Sequence, residues 1–311
     1  MRRPIVAFAA MLLLVVRGVA AGAEPLRLQD ALAAVETVAA DAPRRDAILA
    51  ASVRHPYVYW GNLRLELLAP EDALRINAMA RLFDARLCDL AYAALNEKMA
   101  IAYGVAQRVA ASGPTTSTAG STAESLARLE AEARYLDLLA KRNAMQTQQR
   151  LTRSMLAQSL GQPDRLAEEL ADPEFDAAEE ALPAFGALEQ SLRSANPRLR
   201  ALESLPQAKR SKLPAAQMDI GQELLRIYLE IESLQGAERT LVTKRTELAD
   251  RRFDEERDHF ERNQANDFSN AMAAIVDAKH EQRMWLYRLT LANARLGALL
   301  GRAFRIPSTV R

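Results

Sequence analysis

The chain has 311 residues, with 41 basic against 40 acidic side chains and a net charge of +1, so it has no strong electrostatic pull on nucleic acid or an anionic membrane surface. Aromatic residues make up 5 %, glycine occupies 12 positions, and the single cysteine, Cys88, excludes an internal disulfide framework. Alanine, leucine, glutamate, arginine and glutamine dominate, a composition of long helices rather than of a β-rich fold.

Arg2-Arg3, an apolar run from Ile5 to Val16 and the small residues Ala21-Gly22-Ala23 have the layout of a secretory signal peptide over residues 1–23. An uncleaved anchor is the alternative, but the run is too short to span a bilayer and Arg17 ends it. A first helical repeat is expected over 24–161. It opens with Leu28-Gln29-Asp30-Ala31-Leu32, turns at Asp41-Ala42-Pro43, and reaches a short insert from His55 to Pro70. One long helix is predicted from Leu74 to Ala111, ended by Gly113-Pro114. A second follows a tip loop at about 112–121. Ser121-x-x-Glu124 is a capping box at its start, and Gly161 is the residue just past its end.

Residues 162–185 carry Pro163, Pro173 and Pro183 among many carboxylates, which disfavours a long helix and predicts an extended linker with at most one short helix. A second repeat is expected over 186–302, followed by a C-terminal tail, 303–311. Leu188 to Leu192 opens it, Asn196-Pro197 turns it, and long helices run over Ala215–Asn263 and Asp267–Arg302 about a tip at 263–267. The same landmarks recur in the same order in both halves, including the closing pairs Leu160-Gly161 and Leu300-Gly301, which argues for duplication.

Apolar residues at 4-3 spacing predict antiparallel helices packed at coiled-coil angles. Ile220, Leu224, Ile227, Ile231 and Leu234 form one stripe, extended by Leu241 and Leu248. Leu126, Leu129, Ala133, Leu136 and Ala140 form another, and Leu286, Leu289, Leu296 and Leu300 a third. Arg251-Arg252 and Asp254 to Asp258 are too polar for a buried helix, so that end borders water or another subunit.

These features resemble the TolC-like family of outer-membrane efflux proteins. The resemblance is carried by Asn196-Pro197-Arg198-Leu199, by Leu296-Gly297-Ala298-Leu299-Leu300-Gly301, by looser matches at Asp41-Ala42-Pro43-Arg44 and Met155 to Gly161, by the acidic linker, and by the tip before Asp267-Phe268. It implies an all-α architecture of long antiparallel coiled-coil hairpins in two repeated halves, forming a TolC-like helical barrel. The chain departs from the family where each half should carry a pair of barrel strands. The first insert is only His55 to Pro70, the second only about Pro206 to Pro214, and the alternating Leu63, Leu65 and Leu67 make at most a small hairpin. A full transmembrane β-barrel is therefore not expected.

No sequence pattern marks a catalytic site, a phosphate loop or a cofactor site, and no enzyme activity is expected. His259 and His280 fall too far apart on one hairpin to share a metal, and Tyr57, Tyr59 and Trp60 read as local packing or as an interfacial aromatic belt. The expected function is a component of an efflux or export assembly: an oligomer, with a trimer expected, forming a periplasmic helical conduit. It would need no cofactor and bind no nucleic acid. By resemblance, its partner is a periplasmic adaptor or inner-membrane transporter, docking at hairpin-tip residues Gly113, Thr115, Asn263, Gln264, Asn266 and Asp267. The expected location is the periplasm, peripheral to the outer membrane at most. The alternative is a periplasmic coiled-coil scaffold or adaptor that has lost transport.

Overall fold

The computed structural model describes residues 25–111, 118–162, 169–172, 181–262 and 268–302. Among them the protein is helical and has no named strand; the only β contacts are isolated bridges between Leu26 and Leu170 and between Tyr57 and Gly61. Two short helices, α1 (Leu28–Ala39) and α2 (Ala42–Arg54), precede the long helices α3 (Pro70–Ala111) and α4 (Thr118–Ser159). The second half repeats the order with α5 (Phe185–Ala195), α6 (Pro197–Glu203), α7 (Leu213–Ser233), α8 (Arg239–Glu261) and α9 (Phe268–Leu299). A single π-turn, Leu234–Glu238, joins α7 to α8, so the two continue as one rod.

Local sequence explains the ends. Asp41 accepts a hydrogen bond from Arg44 N and Asn196 from Leu199 N, each as the N-cap of a helix with proline in its first turn. Gly161 and Gly301 take φ of +64° and +61°, and beyond them Gln162 N and Arg302 N return to the carbonyls of Ala157 and Gly297. The halves also share a long-range closure. Arg44 Nη2 reaches Gly161 O in the first half, and Asn196 Nδ2 reaches Leu299 O at 2.7 Å in the second.

Contacts define the packing. Asp89 pairs with Arg153 and Tyr103 lies beside Tyr135, so α4 runs antiparallel to α3. Arg295 reaches Glu230 while Arg245 reaches Glu281, so α9 runs antiparallel to α7–α8. Phe83 stacks on Tyr287 at 4.6 Å while Lys98 pairs with Asp277, so α3 and α9 are antiparallel as well. The long helices form a row in the order α4, α3, α9, α7–α8, alternating in direction. Both the α3–α4 and the α9–α8 seams are extensive, and α3–α9 joins the halves.

The core lies at one end of this row, the end that carries α1, α2, α5 and α6. Phe83, Leu82, Met79, Ile76, Leu224, Ile220, Tyr287 and Leu299 are wholly buried there. The linker is tied to the same end. Glu169 O accepts from Leu26 N, Leu170 is buried, and Asp172 pairs with Arg86 at 2.7 Å.

Several expectations need correction. Helix α4 begins at Thr118, so Ser121 and Glu124 lie inside the helix and Ser121 is not its N-cap. The first insert is not a hairpin of strands. Arg64 takes a left-handed φ of 44°, Leu65–Leu67 form a 3₁₀ turn, and Leu63, Leu65, Leu67 and Leu68 are all buried on one side. Leu63, Leu65 and Leu67 keep their inward alternation, with Asn62 and Glu66 exposed, but the left-handed kink and the 3₁₀ turn break the extended backbone of a strand. The insert is clamped to α3: Trp60 Nε1 donates to Ala80 O, Tyr57 O–H to Asn77 Oδ1, and Arg81 lies over the Tyr57 ring.

Candidate assembly surfaces

The leucine stripes on α4 and α7–α8 end up in different places. On α7, Ile220, Leu224, Ile227, Ile231 and Leu234 are buried against α9, as their spacing predicts. On α4, the predicted stripe faces outward. Leu126, Leu129 and Leu136 are 57 %, 62 % and 60 % exposed, and Ala133 and Ala140 are exposed with them. The helix packs instead through Ala131, Leu138, Thr152 and Leu156, on its opposite side. The small side chain of Ala131 and the ties from Gln149 and Arg153 to Asp89 hold that face against α3.

Leu241 and Leu248 also fail to continue the buried stripe; they are 50 % and 49 % exposed. The π-turn is the cause. It adds one residue to a turn, which rotates everything beyond it by about 100° relative to an unbroken α-helix. The residues that pack beyond it are each one position later, at Val242 and Ala249. The same rotation brings Leu241 and Leu248 into line with Met218, Leu225 and Leu229, all exposed on the outer side of α7. One leucine-rich stripe then runs the length of α7–α8. Trp285 Nε1 donates to Leu234 O at 2.8 Å and so satisfies a carbonyl of the turn, while Arg288 pairs with Glu238.

Thus each lateral edge of the row presents an apolar stripe, α4 on one side and α7–α8 on the other. Toward the far end the surface becomes charged: Arg251, Arg252, Asp254, Glu255, Arg257 and Asp258 lie there, all exposed, and Phe253 packs on Phe268. The six predicted docking residues Gly113, Thr115, Asn263, Gln264, Asn266 and Asp267 lie outside the described residues.

The buried titratable groups lie near the core. Asp84, wholly buried, accepts from Val58 N at 2.8 Å and Tyr59 N at 3.1 Å. Burial pushes its carboxyl up to about 6; the two backbone N–H groups and Arg81 oppose this only in part. Burial raises the Cys88 thiol to about 11, so it stays protonated and unreactive at neutral pH. His280, held below the usual histidine range by burial, sets its ring edge-on to Tyr59, whereas His259 is exposed near the charged end. Arg295, 3 % exposed, pairs with buried Glu223 and with Glu230. Among the described residues no group of three or more His, Cys, Asp and Glu could hold a metal, and no helix is long and apolar enough to cross a membrane.

No protein-family model matches this chain, and no curated protein matches it.

The sequence pattern located the α4 stripe but assigned its burial incorrectly; of the α7–α8 edge stripe it picked out only Leu241 and Leu248, as part of the buried face, and missed Met218, Leu225 and Leu229. The signal for the second stripe was a slip of phase beyond Leu234, where charged residues take up the predicted packing positions around Leu241 and Leu248.

Proposed function

We propose that the chain associates edge to edge with copies of itself into a closed ring of long helices, a periplasmic conduit of an export or efflux assembly similar to TolC-like proteins. The observation that carries this is the pair of unpaired leucine-rich edges on a row whose helices alternate in direction. Helix α4 of one copy laid against α7–α8 of the next continues that alternation, so the row extends without a break in its packing rule. A head-to-tail contact of this kind repeats from copy to copy, and closes into a ring when its rotation divides the full circle. Polar helix faces would then border a water-filled lumen. In this reading solutes pass without covalent change, no cofactor is needed, and the far ends of the hairpins meet an adaptor or inner-membrane transporter. The mature protein sits in the periplasm, and any outer-membrane contact is peripheral.

The test is the mass of the purified mature chain by sedimentation equilibrium, with and without detergent. A discrete oligomer is expected, and Leu129→Ser with Leu136→Ser should return it to monomer. A monodisperse monomer at tens of micromolar would overturn the reading.

A further inference from the structure

We infer the register of the seam between copies: Arg245 of one chain pairs with Asp137 of the next. The inference rests on the edge-to-edge reading above and deepens it. Its basis is that the molecule already contains one seam between its halves. There α3, the first long helix of one half, lies against α9, the second long helix of the other, and Lys98 pairs with Asp277 across it. The outer edges are the remaining two members of the same set: α7–α8 is the first long helix of its half and α4 the second of its own.

The closing glycines fix which residues correspond. Asp277 stands as far before Gly301 as Asp137 stands before Gly161. An aspartate therefore occupies the same place in both halves. Lys141 and Glu281 correspond in the same way, each at one shared distance from its closing glycine. On the facing helices, Lys98 lines a cleft with Lys141, and Arg245 contacts Glu281 at 3.0 Å. Lys98 and Arg245 thus face equivalent points of their own hairpins, and both are cations.

Transferring the Lys98–Asp277 contact to the outer edges sets Arg245 against Asp137. Both side chains are accessible, at 54 % and 58 % exposed, and their charges are complementary; within the chain Arg245 meets Glu281 and Asp137 meets Lys141 at 2.7 Å, so the pair between copies adds to these contacts. The antiparallel register then sets Leu241 beside Ala140 and Leu248 beside Ala133, with Leu136 between them, and Leu229 beside Leu151. Large residues meet small ones at the centre, as interdigitating helices require. The π-turn at Leu234–Glu238 is what makes this possible, because without its extra residue Leu229 and Leu241 would not share a face. The occupant of the α7–α8 stripe is therefore α4 of a second copy.

Two measurements on the full mature chain test this. Arg245→Cys with Asp137→Cys should give covalent multimers on mild oxidation, whereas Arg245→Cys with Leu151→Cys should not, since Leu151 lies about 21 Å further along α4 at ~1.5 Å per residue. In sedimentation, Arg245→Glu and Asp137→Arg should each weaken self-association at least tenfold, and the double variant should recover most of the loss. Equal cross-linking of both cysteine pairs, or charge reversals without effect while the unmodified protein still assembles, overturns the register and leaves the edge-to-edge reading standing. An unmodified protein that stays monomeric removes both.

Discussion

The two ends of the long helices differ in what holds them. At the basal end, two or three layers of helix close over Phe83, Met79, Ile220 and Tyr287, and the insert and linker are tied down by side-chain and backbone hydrogen bonds. Beyond about Leu90 and Leu234 only the long helices continue, as one layer joined by the two hairpin seams and by α3–α9 contacts such as Lys98–Asp277, with leucines on its outer edges and charges toward its end. Stability therefore resides in the base, while the extended arms offer surface.

That contrast can be broken most severely at the base. Phe83→Ala removes a wholly buried ring stacked on Tyr287, and should lower unfolding stability by about 3–5 kcal/mol, read by urea or thermal unfolding. Trp60, which packs its ring against Phe83, would lose part of its support, so its fluorescence should shift as well.

A smaller effect sharpens the comparison between the two halves. Both closing glycines need positive φ, but a Cβ on Gly301 would lie 2.5 Å from the Ala195 carbonyl oxygen, which is backbone, whereas on Gly161 it would meet only the flexible end of Arg44. Gly301→Ala should therefore cost more than Gly161→Ala, with the latter near ~1 kcal/mol, the strain of the backbone alone. Equal losses in paired denaturation curves would show that the Asn196 closure is no tighter than its counterpart at Arg44.

The basal insert should also respond to pH. The folded-state value for Asp84 is raised, to about 6, so the folded protein takes up this proton before the unfolded chain does. As pH falls from neutral through 6 toward the ordinary carboxylate range, this residue's contribution shifts toward the folded state, by at most about 1.4 kcal/mol per pH unit. Asp84→Asn should remove that part of the pH dependence. The groups around it are Arg81, Tyr57, Tyr59 and Cys88, with the N–H groups of Val58 and Tyr59, so the comparison is made between pH 7.5 and 5, below the range in which the tyrosines and Cys88 titrate.

The smallest expected change in monomer stability is on the arms. Leu129→Ser with Leu136→Ser alters exposed positions, and should move the unfolding midpoint of dilute monomer by no more than the equivalent of ~0.5 kcal/mol. A loss of several kcal/mol in dilute solution would mean that this stripe is part of the chain's own core.

Composition and the absence of breakers set the long helices, because propensity and spacing are local properties. Gly161 and Gly301 announced the helix ends they close, since the left-handed conformation there is one glycine takes without strain, whereas Asp41 and Asn196 were legible only as turns and prove to be N-caps as well. The buried stripe from Ile220 to Leu234 was also legible, as one face of a continuous helix. Only the tertiary structure decided which of α4's two faces packs, because a leucine stripe states that a face is apolar and not which neighbour covers it. It decided the fate of Leu241 and Leu248 as well. A π-turn at Leu234–Glu238 is held by groups distant in sequence, Trp285 and Arg288, and one added residue there rotates the rest of the rod and turns its leucines from core to edge.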